Sequence, residues 1–200
     1  MELREALVQI SEIRQQVARS ETFRGYRALP LAVTGVLAFA GGVVQELCVP
    51  EPMRDLPTYF TLWIGLALLS VLATGWELVA RWRRCHSLLE REKIVLAVTQ
   101  FLPCLAAGAL LLVVLVRFAP ASVWMLPGLW CILFGLGIFA SWRFLPQAII
   151  WSGVFYLAAG FLCLAWAQHE AALSPWAMAL PFGVGQLLTA AILYWNLERK

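Results

Sequence analysis

Six apolar runs of about twenty residues each constrain the fold of this chain more than any other feature. A helix of about 20 residues, rising about 1.5 Å per residue, crosses a hydrocarbon core of about 30 Å. The runs lack the alternation of a barrel strand, so helices are the expected form. The sequence therefore predicts an all-α polytopic membrane protein, a bundle of six transmembrane helices at about 29–48, 58–80, 94–116, 123–142, 146–167 and 175–196.

The composition supports a lipid environment. Of the 200 residues, 62% are hydrophobic and only 14% are charged. A water-soluble domain of this size could not bury so much apolar surface, so the lipid bilayer is the expected surrounding. The formal net charge of +3 is too small to indicate a nucleic-acid partner, and none is predicted.

The arrangement of basic residues predicts the orientation. If each of the six runs crosses the membrane once, only Arg54 and Arg117 of the 15 lysines and arginines lie on the side opposite to the N-terminus. Basic residues accumulate on the cytoplasmic side of membrane proteins. Both termini are therefore predicted to be cytoplasmic, with residues 197–200 as a short tail.

Residues 1–28 are predicted to form a cytoplasmic amphipathic helix and a linker that precede the six-span domain at 29–196. The apolar stripe consists of Leu3, Ala6, Leu7, Ile10, Ile13 and Val17. Such a stripe packs against the inner loop or a partner helix, or it lies on the membrane. The sequence favours the first alternative, because the segment is too near neutral to be drawn strongly to anionic lipid.

Prolines stand near the start of nearly every run, as part of Leu-Pro pairs. Proline in a first helical turn costs no hydrogen bond. Pro103, Pro127 and Pro181 lie further inside runs three, four and six. Those three helices are therefore expected to begin later than the runs or to kink at the proline.

Polar side chains inside the apolar runs are the candidate functional residues, because they are expensive to bury in lipid. Gln186 lies almost at the middle of run six, just after Gly183 and Gly185. Gln100 lies about a third of the way into run three, and Glu46 near the outer end of run one. Gln186 either bonds across helices and holds them together, or it belongs to a midplane substrate site on a glycine-loosened helix.

Glu77 lies at the inner boundary of run two, one turn before Arg81. At that spacing the two side chains are expected to form an ion pair at the membrane surface. The alternative is a proton-relay acid inside the membrane.

Motifs for catalysis, cofactors or metals are missing from the sequence. The five cysteines form no CxxC pair and are expected to pack as small hydrophobes. His86 and His169 are predicted at opposite membrane faces, and no HExxH, GxSxG or phosphate loop occurs in a plausible setting. We therefore predict no catalytic, cofactor-binding or metal-binding residue, and no enzymatic activity.

The stretches QFLPCLAAGALL (100–111), WMLPGLWCILFGLGIFAS (124–141) and SPWAMALPFGVGQLLTAAILYW (174–195), with the leader SEIRQQVARSETFRGYRALP (11–30), cover much of the chain. Together they resemble a group of short, uncharacterised bacterial integral membrane proteins. The resemblance implies six helices in a bacterial inner membrane. It implies no activity.

Three functional hypotheses follow from the sequence. The favoured one is a non-enzymatic accessory subunit that docks a cytoplasmic protein partner through residues 1–27 and the 81–93 loop. The alternative is a small carrier or binder of an apolar or neutral solute, with Gln186 and Gln100 lining its site. The weakest hypothesis is an intramembrane enzyme that uses Glu77 or Glu46. Assembly into a homo-oligomer is also possible under each hypothesis.

Overall fold

The structure, a computed structural model, describes residues 28–84, 88–167 and 169–199. Over these residues the chain is helical and has no strand. The predicted amphipathic helix at 1–28 lies outside the described residues, apart from Ala28. The long helices are α1 Ala28–Cys48, α2 Leu56–Arg84, α3 Leu88–Phe118, α4 Leu126–Ser141, α5 Ile150–Trp166 and α6 Pro175–Leu193.

In the described part of the chain, six helices are long and apolar enough to cross a membrane, which confirms the prediction of an all-α fold with six candidate spans. Two helices continue beyond their apolar spans. The candidate span in α2 covers Leu56–Ala80, and the one in α3 covers Val95–Phe118. The last turn of α2 and the first turns of α3 therefore extend past the apolar part of the bundle.

The three inner prolines behave differently from one another. A 3₁₀ helix at Pro120–Met125 precedes α4, so that Pro127 falls in the first turn of that helix. This helix begins later than its apolar run, which was one of the two expected outcomes. Pro103 and Pro181 lie inside α3 and α6, and both helices continue through them.

Helices α1 and α6 pack closely because glycines face the neighbouring backbone. A Cβ at Gly35 would lie 3.0 Å from the carbonyl oxygen of Gly183, and one at Gly42 would lie 2.7 Å from Ala179 Cβ. The residue numbers run in opposite directions along the two helices, so the pair is antiparallel.

A second glycine-mediated pair joins α4 and α5. A Cβ at Gly128 would lie 2.9 Å from the carbonyl oxygen of Gly160, and one at Gly135 would lie 3.1 Å from that of Gly153. Small residues allow such close approach, and dispersion contacts between backbones then stabilise the pair. Here too the helices are antiparallel.

The remaining helices pack around these two pairs. Helix α2 packs on α1, α3 packs on α4, and α5 contacts α6, whereas α2 and α3 barely touch each other. A gap therefore separates α2 from α3.

We call the end of the bundle with the start of α1 and the end of α6 the terminal end, and the other end the opposite end.

Aromatic side chains fill the interior behind this gap. The ring of Phe134 lies 5.1 Å from Phe101, 4.8 Å from Tyr156 and 5.7 Å from Phe182, measured between centroids. Edge-to-face and tilted contacts of this kind are favourable beyond the apolar area that they bury. Because the four rings come from α3, α4, α5 and α6, they connect the two glycine-mediated pairs.

Candidate functional site

A cavity of about 460 Å³ lies where α2 and α3 separate. Its wall is formed by α1, α2, α3, α4 and α6, and most of the lining side chains are aliphatic or aromatic. Small-molecule sites in proteins usually measure about 300–1,000 Å³ and combine apolar walls with a few polar groups. The size and the lining of this cavity fit that description.

Three polar side chains in the cavity wall come from different helices: Thr34, Ser70 and Gln186. The hydroxyls of Thr34 and Ser70 donate at 2.8 Å to the carbonyl oxygens of Leu31 and Leu66, so each hydroxyl oxygen can still accept. The amide of Gln186 is half-buried and forms no hydrogen bond with the described part of the chain. Gln186 therefore offers both an unused donor and an unused acceptor to the cavity.

Two tryptophans line the cavity with their indole nitrogens already engaged. Nε1 of Trp63 donates to Gln45 Oε1 at 2.8 Å, and Nε1 of Trp130 donates to the carbonyl oxygen of Gly108 at 3.1 Å. A bonded indole N–H leaves the ring as an apolar surface. Trp63 and Trp130 therefore add apolar surface rather than hydrogen-bonding capacity to the site.

Gln45 holds one of these tryptophans in place. Its side chain is fully buried, and Nε2 donates to the carbonyl oxygen of Leu173 at 2.8 Å while Oε1 accepts from Trp63. The side chain thus links α1 to α2 and to the segment before α6. Buried polar groups of this kind are costly unless every partner is present.

The amide of Gln186 and the ring of Trp63 lie at different positions along the length of the bundle. A Cβ at Gly35 would lie 3.3 Å from Gln186 Cβ, whereas one at Gly41 would lie 3.6 Å from the Trp63 ring. These two glycines are about 9 Å apart along α1 at the usual helical rise. Gln186 therefore lies nearer the terminal end, and Trp63 nearer the opposite end.

No charged side chain is found among the described residues that line the cavity. An ionised ligand would lose its hydration there without gaining an opposite charge, which is strongly unfavourable. The arrangement suits a neutral molecule. Among the residues that the structure describes there is also no group of three or more His, Cys, Asp or Glu side chains that could hold a metal ion.

The structure places the four candidate polar residues in different surroundings. Gln186 lines the cavity. Gln100 lies beside it, with Oε1 buried and without a hydrogen-bond partner in the described residues, while the adjacent Phe101 forms part of the cavity wall. Glu46 is exposed at the opposite end, and Glu77 is half-buried on α2. The structure therefore does not bring the four together into one site.

The expected Glu77–Arg81 ion pair stays a prediction, because the Arg81 side chain lies outside the described part of the structure. Among the described residues, an interhelical side-chain bond of the kind suggested for Gln186 is made by Gln45. Sequence reasoning selected Glu46 and missed its neighbour. The helical spacing could have found it, since Gln45 shares a face with Ala38, Gly41 and Gly42, all of which are buried.

Comparison with known proteins does not extend this description: no family model, curated protein or solved structure matches the chain. The resemblance to short bacterial membrane proteins accordingly stays a prediction. Function has to be argued from the cavity and from the residues around it.

Proposed function

We propose that this protein is an integral membrane protein that binds an apolar or neutral solute in the cavity beside α2 and α3, in contact with Gln186. The observation that carries the proposal is the cavity itself, an apolar space of about 460 Å³ with an unbonded amide in its wall. The Gln186 amide is half-buried, so both its donor and its acceptor are accessible to a ligand in the cavity.

Membrane insertion is supported by the six candidate spans and by tryptophans near the ends of these spans. Trp76, Trp166 and Trp195 are largely exposed there, at 79%, 81% and 57% of their surface. Tryptophan concentrates at the two interfaces of a bilayer. The basic residues favour an orientation with both termini in the cytoplasm, and the resemblance favours a bacterial inner membrane.

Native mass spectrometry of the protein, extracted gently from its host membrane, tests this function. We expect a small bound mass in the wild type and its loss in Ala109→Phe, which adds a bulky ring at the exposed mouth of the cavity. Ala106→Phe is the matched control, because Ala106 is exposed on the same helix but does not line the cavity.

A second pair of variants tests the role of the amide. Gln186→Leu should weaken retention of the bound mass, whereas Gln100→Leu, the same change outside the cavity wall, should leave it unchanged. Equal content of small molecules in the wild type and in Ala109→Phe would contradict the function. Equal retention in Gln186→Leu would remove only the role of the amide.

Docking of a cytoplasmic partner stays a second proposal, and one observation favours it. Helix α2 continues to Arg84 and α3 begins at Leu88, beyond their apolar spans, so most of the segment predicted as the 81–93 loop is helical instead. Residues 1–27 lie outside the described chain. A second protein bound in stoichiometric amount, and lost when residues 2–20 are deleted, would support this proposal. If no second protein is bound, or if it stays bound after the deletion, the docking proposal is contradicted.

A further inference from the structure

The side chains at the mouth of the cavity all belong to two helices. The lining residues that are exposed are Ala67, Leu68 and Val71 on α2, and Leu105 and Ala109 on α3. The lining residues of α1, α4 and α6 are buried or half-buried and form the back wall. The cavity therefore opens sideways, between two helices that barely touch each other.

This mouth lies within the apolar spans of both helices. The exposed lining residues fall inside Leu56–Ala80 and Val95–Phe118, and not in the extensions beyond them. In a bilayer the exposed surface at this depth contacts acyl chains. The opening consequently faces lipid rather than water.

The three polar side chains of the cavity lie toward one end of its length and the two indoles toward the other, and phenylalanine rings complete the wall. Thr34, Ser70 and Gln186 lie toward the terminal end, and the bonded indoles of Trp63 and Trp130 lie toward the opposite end. A molecule with one hydrogen-bonding group on an elongated apolar body matches this distribution. An ionised head group does not, because no charge in the described wall would compensate for its lost hydration.

We propose that the ligand is a neutral, elongated, lipid-soluble molecule with one carbonyl or hydroxyl group, which enters from the bilayer between α2 and α3. Its polar group bonds the amide of Gln186, and its apolar body lies along Trp63 and Trp130. This inference rests on the proposed function and adds the class of ligand and its route of entry.

Photo-crosslinking in proteoliposomes tests the class of ligand. The probe is dodecanol with a diazirine in its chain. We expect adducts on cavity residues near Trp63 and Trp130, and stronger competition by unlabelled dodecanol than by dodecylamine. Gln186→Leu should lower the adduct yield about fivefold, the loss expected for one hydrogen bond. Equal competition by the amine, or an unchanged yield in Gln186→Leu, would overturn the assigned class.

The route of entry is tested by blocking the mouth. Leu68→Trp and Leu105→Trp place indoles at the exposed rim, and we expect each to slow probe loading several-fold. Leu69→Trp and Leu110→Trp are matched controls, since both leucines are exposed on the same helices but do not line the cavity.

The outcomes separate the two proposals. If the rim variants load the probe at the wild-type rate while cavity adducts persist, the entry route is wrong and the binding function stands. If wild-type adducts are spread evenly over the lipid-facing surface, both the binding function and the route are wrong.

Discussion

Two adjacent side chains on α1 show how strongly position on a helix decides the role of a polar residue. Glu46 is charged and was a candidate functional residue from the sequence, yet it is exposed. Gln45 is neutral but fully buried, and it bonds both Trp63 and the backbone of Leu173. A difference of one residue turns a side chain by about 100° around the helix axis, which separates surface from core.

Replacing Gln45 should therefore destabilise the protein more than replacing Glu46. Gln45→Ala leaves the Trp63 indole N–H and the Leu173 carbonyl oxygen without partners, and we expect a loss of about 1–3 kcal/mol in the free energy of unfolding. Glu46→Ala should change it by less than about 0.5 kcal/mol, as is usual for surface sites. Unfolding in mixed detergent–SDS micelles measures both values. Equal losses would show that the buried bonds do not stabilise the fold.

At the scale of helices, glycines decide which pairs come close. A Cβ at Gly160 would lie 2.7 Å from the carbonyl oxygen of Gly128 and 2.7 Å from a side-chain carbon of Ile132. The carbonyl belongs to the backbone of α4, so an added methyl group cannot be accommodated by a rotamer change. Helices α4 and α5 would have to move apart.

Gly160→Ala is expected to lower the free energy of unfolding by about 1–3 kcal/mol, the usual cost of overpacking. Gly65→Ala provides the control, because a Cβ there meets nothing within 4 Å. Alanine is also more favourable than glycine inside a helix, by up to about 1 kcal/mol. Gly65→Ala should therefore be as stable as the wild type or slightly more stable. The same unfolding assay compares the two. A stable Gly160→Ala protein would contradict the close pairing of α4 and α5.

Length and hydrophobicity were sufficient to predict six helices, because crossing a bilayer requires a run of a certain length. They could not predict which helices pair. Stretches such as Ala38-Gly41-Gly42 indicate a face for close packing, but nothing local to α1 points to α6, which is far away in the sequence. Partner choice depends on complementary surfaces, and only the assembled bundle shows them.

For the molecule as a whole, the candidate site was predictable only in part. The middle position of Gln186 in run six identified it as a polar residue of interest. The cavity beside it arises because α2 and α3 stay apart while α1, α4 and α6 close behind them. That separation is a property of the tertiary arrangement. The sequences of α2 and α3 do not indicate this separation, since apolar side chains can face either lipid or a ligand.

The orientation of the whole chain leads to a last prediction. If all six candidate spans cross the membrane, both termini lie on the same side, and the basic residues favour the cytoplasm for that side. Alkaline phosphatase fused after Lys200 should therefore be inactive, because the enzyme needs the periplasm to form its disulfides. Fusion after Asp55, in the connection between α1 and α2, should give an active enzyme.

Green fluorescent protein at the same two positions supplies the reciprocal control, bright after Lys200 and dark after Asp55. An active phosphatase at both sites would mean that an even number of the five helices between them crosses the membrane. Activity only after Lys200 would mean that the chain is inverted. In that case the extensions of α2 and α3 would face the periplasm, and a cytoplasmic partner could not dock on them. The cavity would be unaffected, since its mouth lies within the candidate spans of α2 and α3 in either orientation.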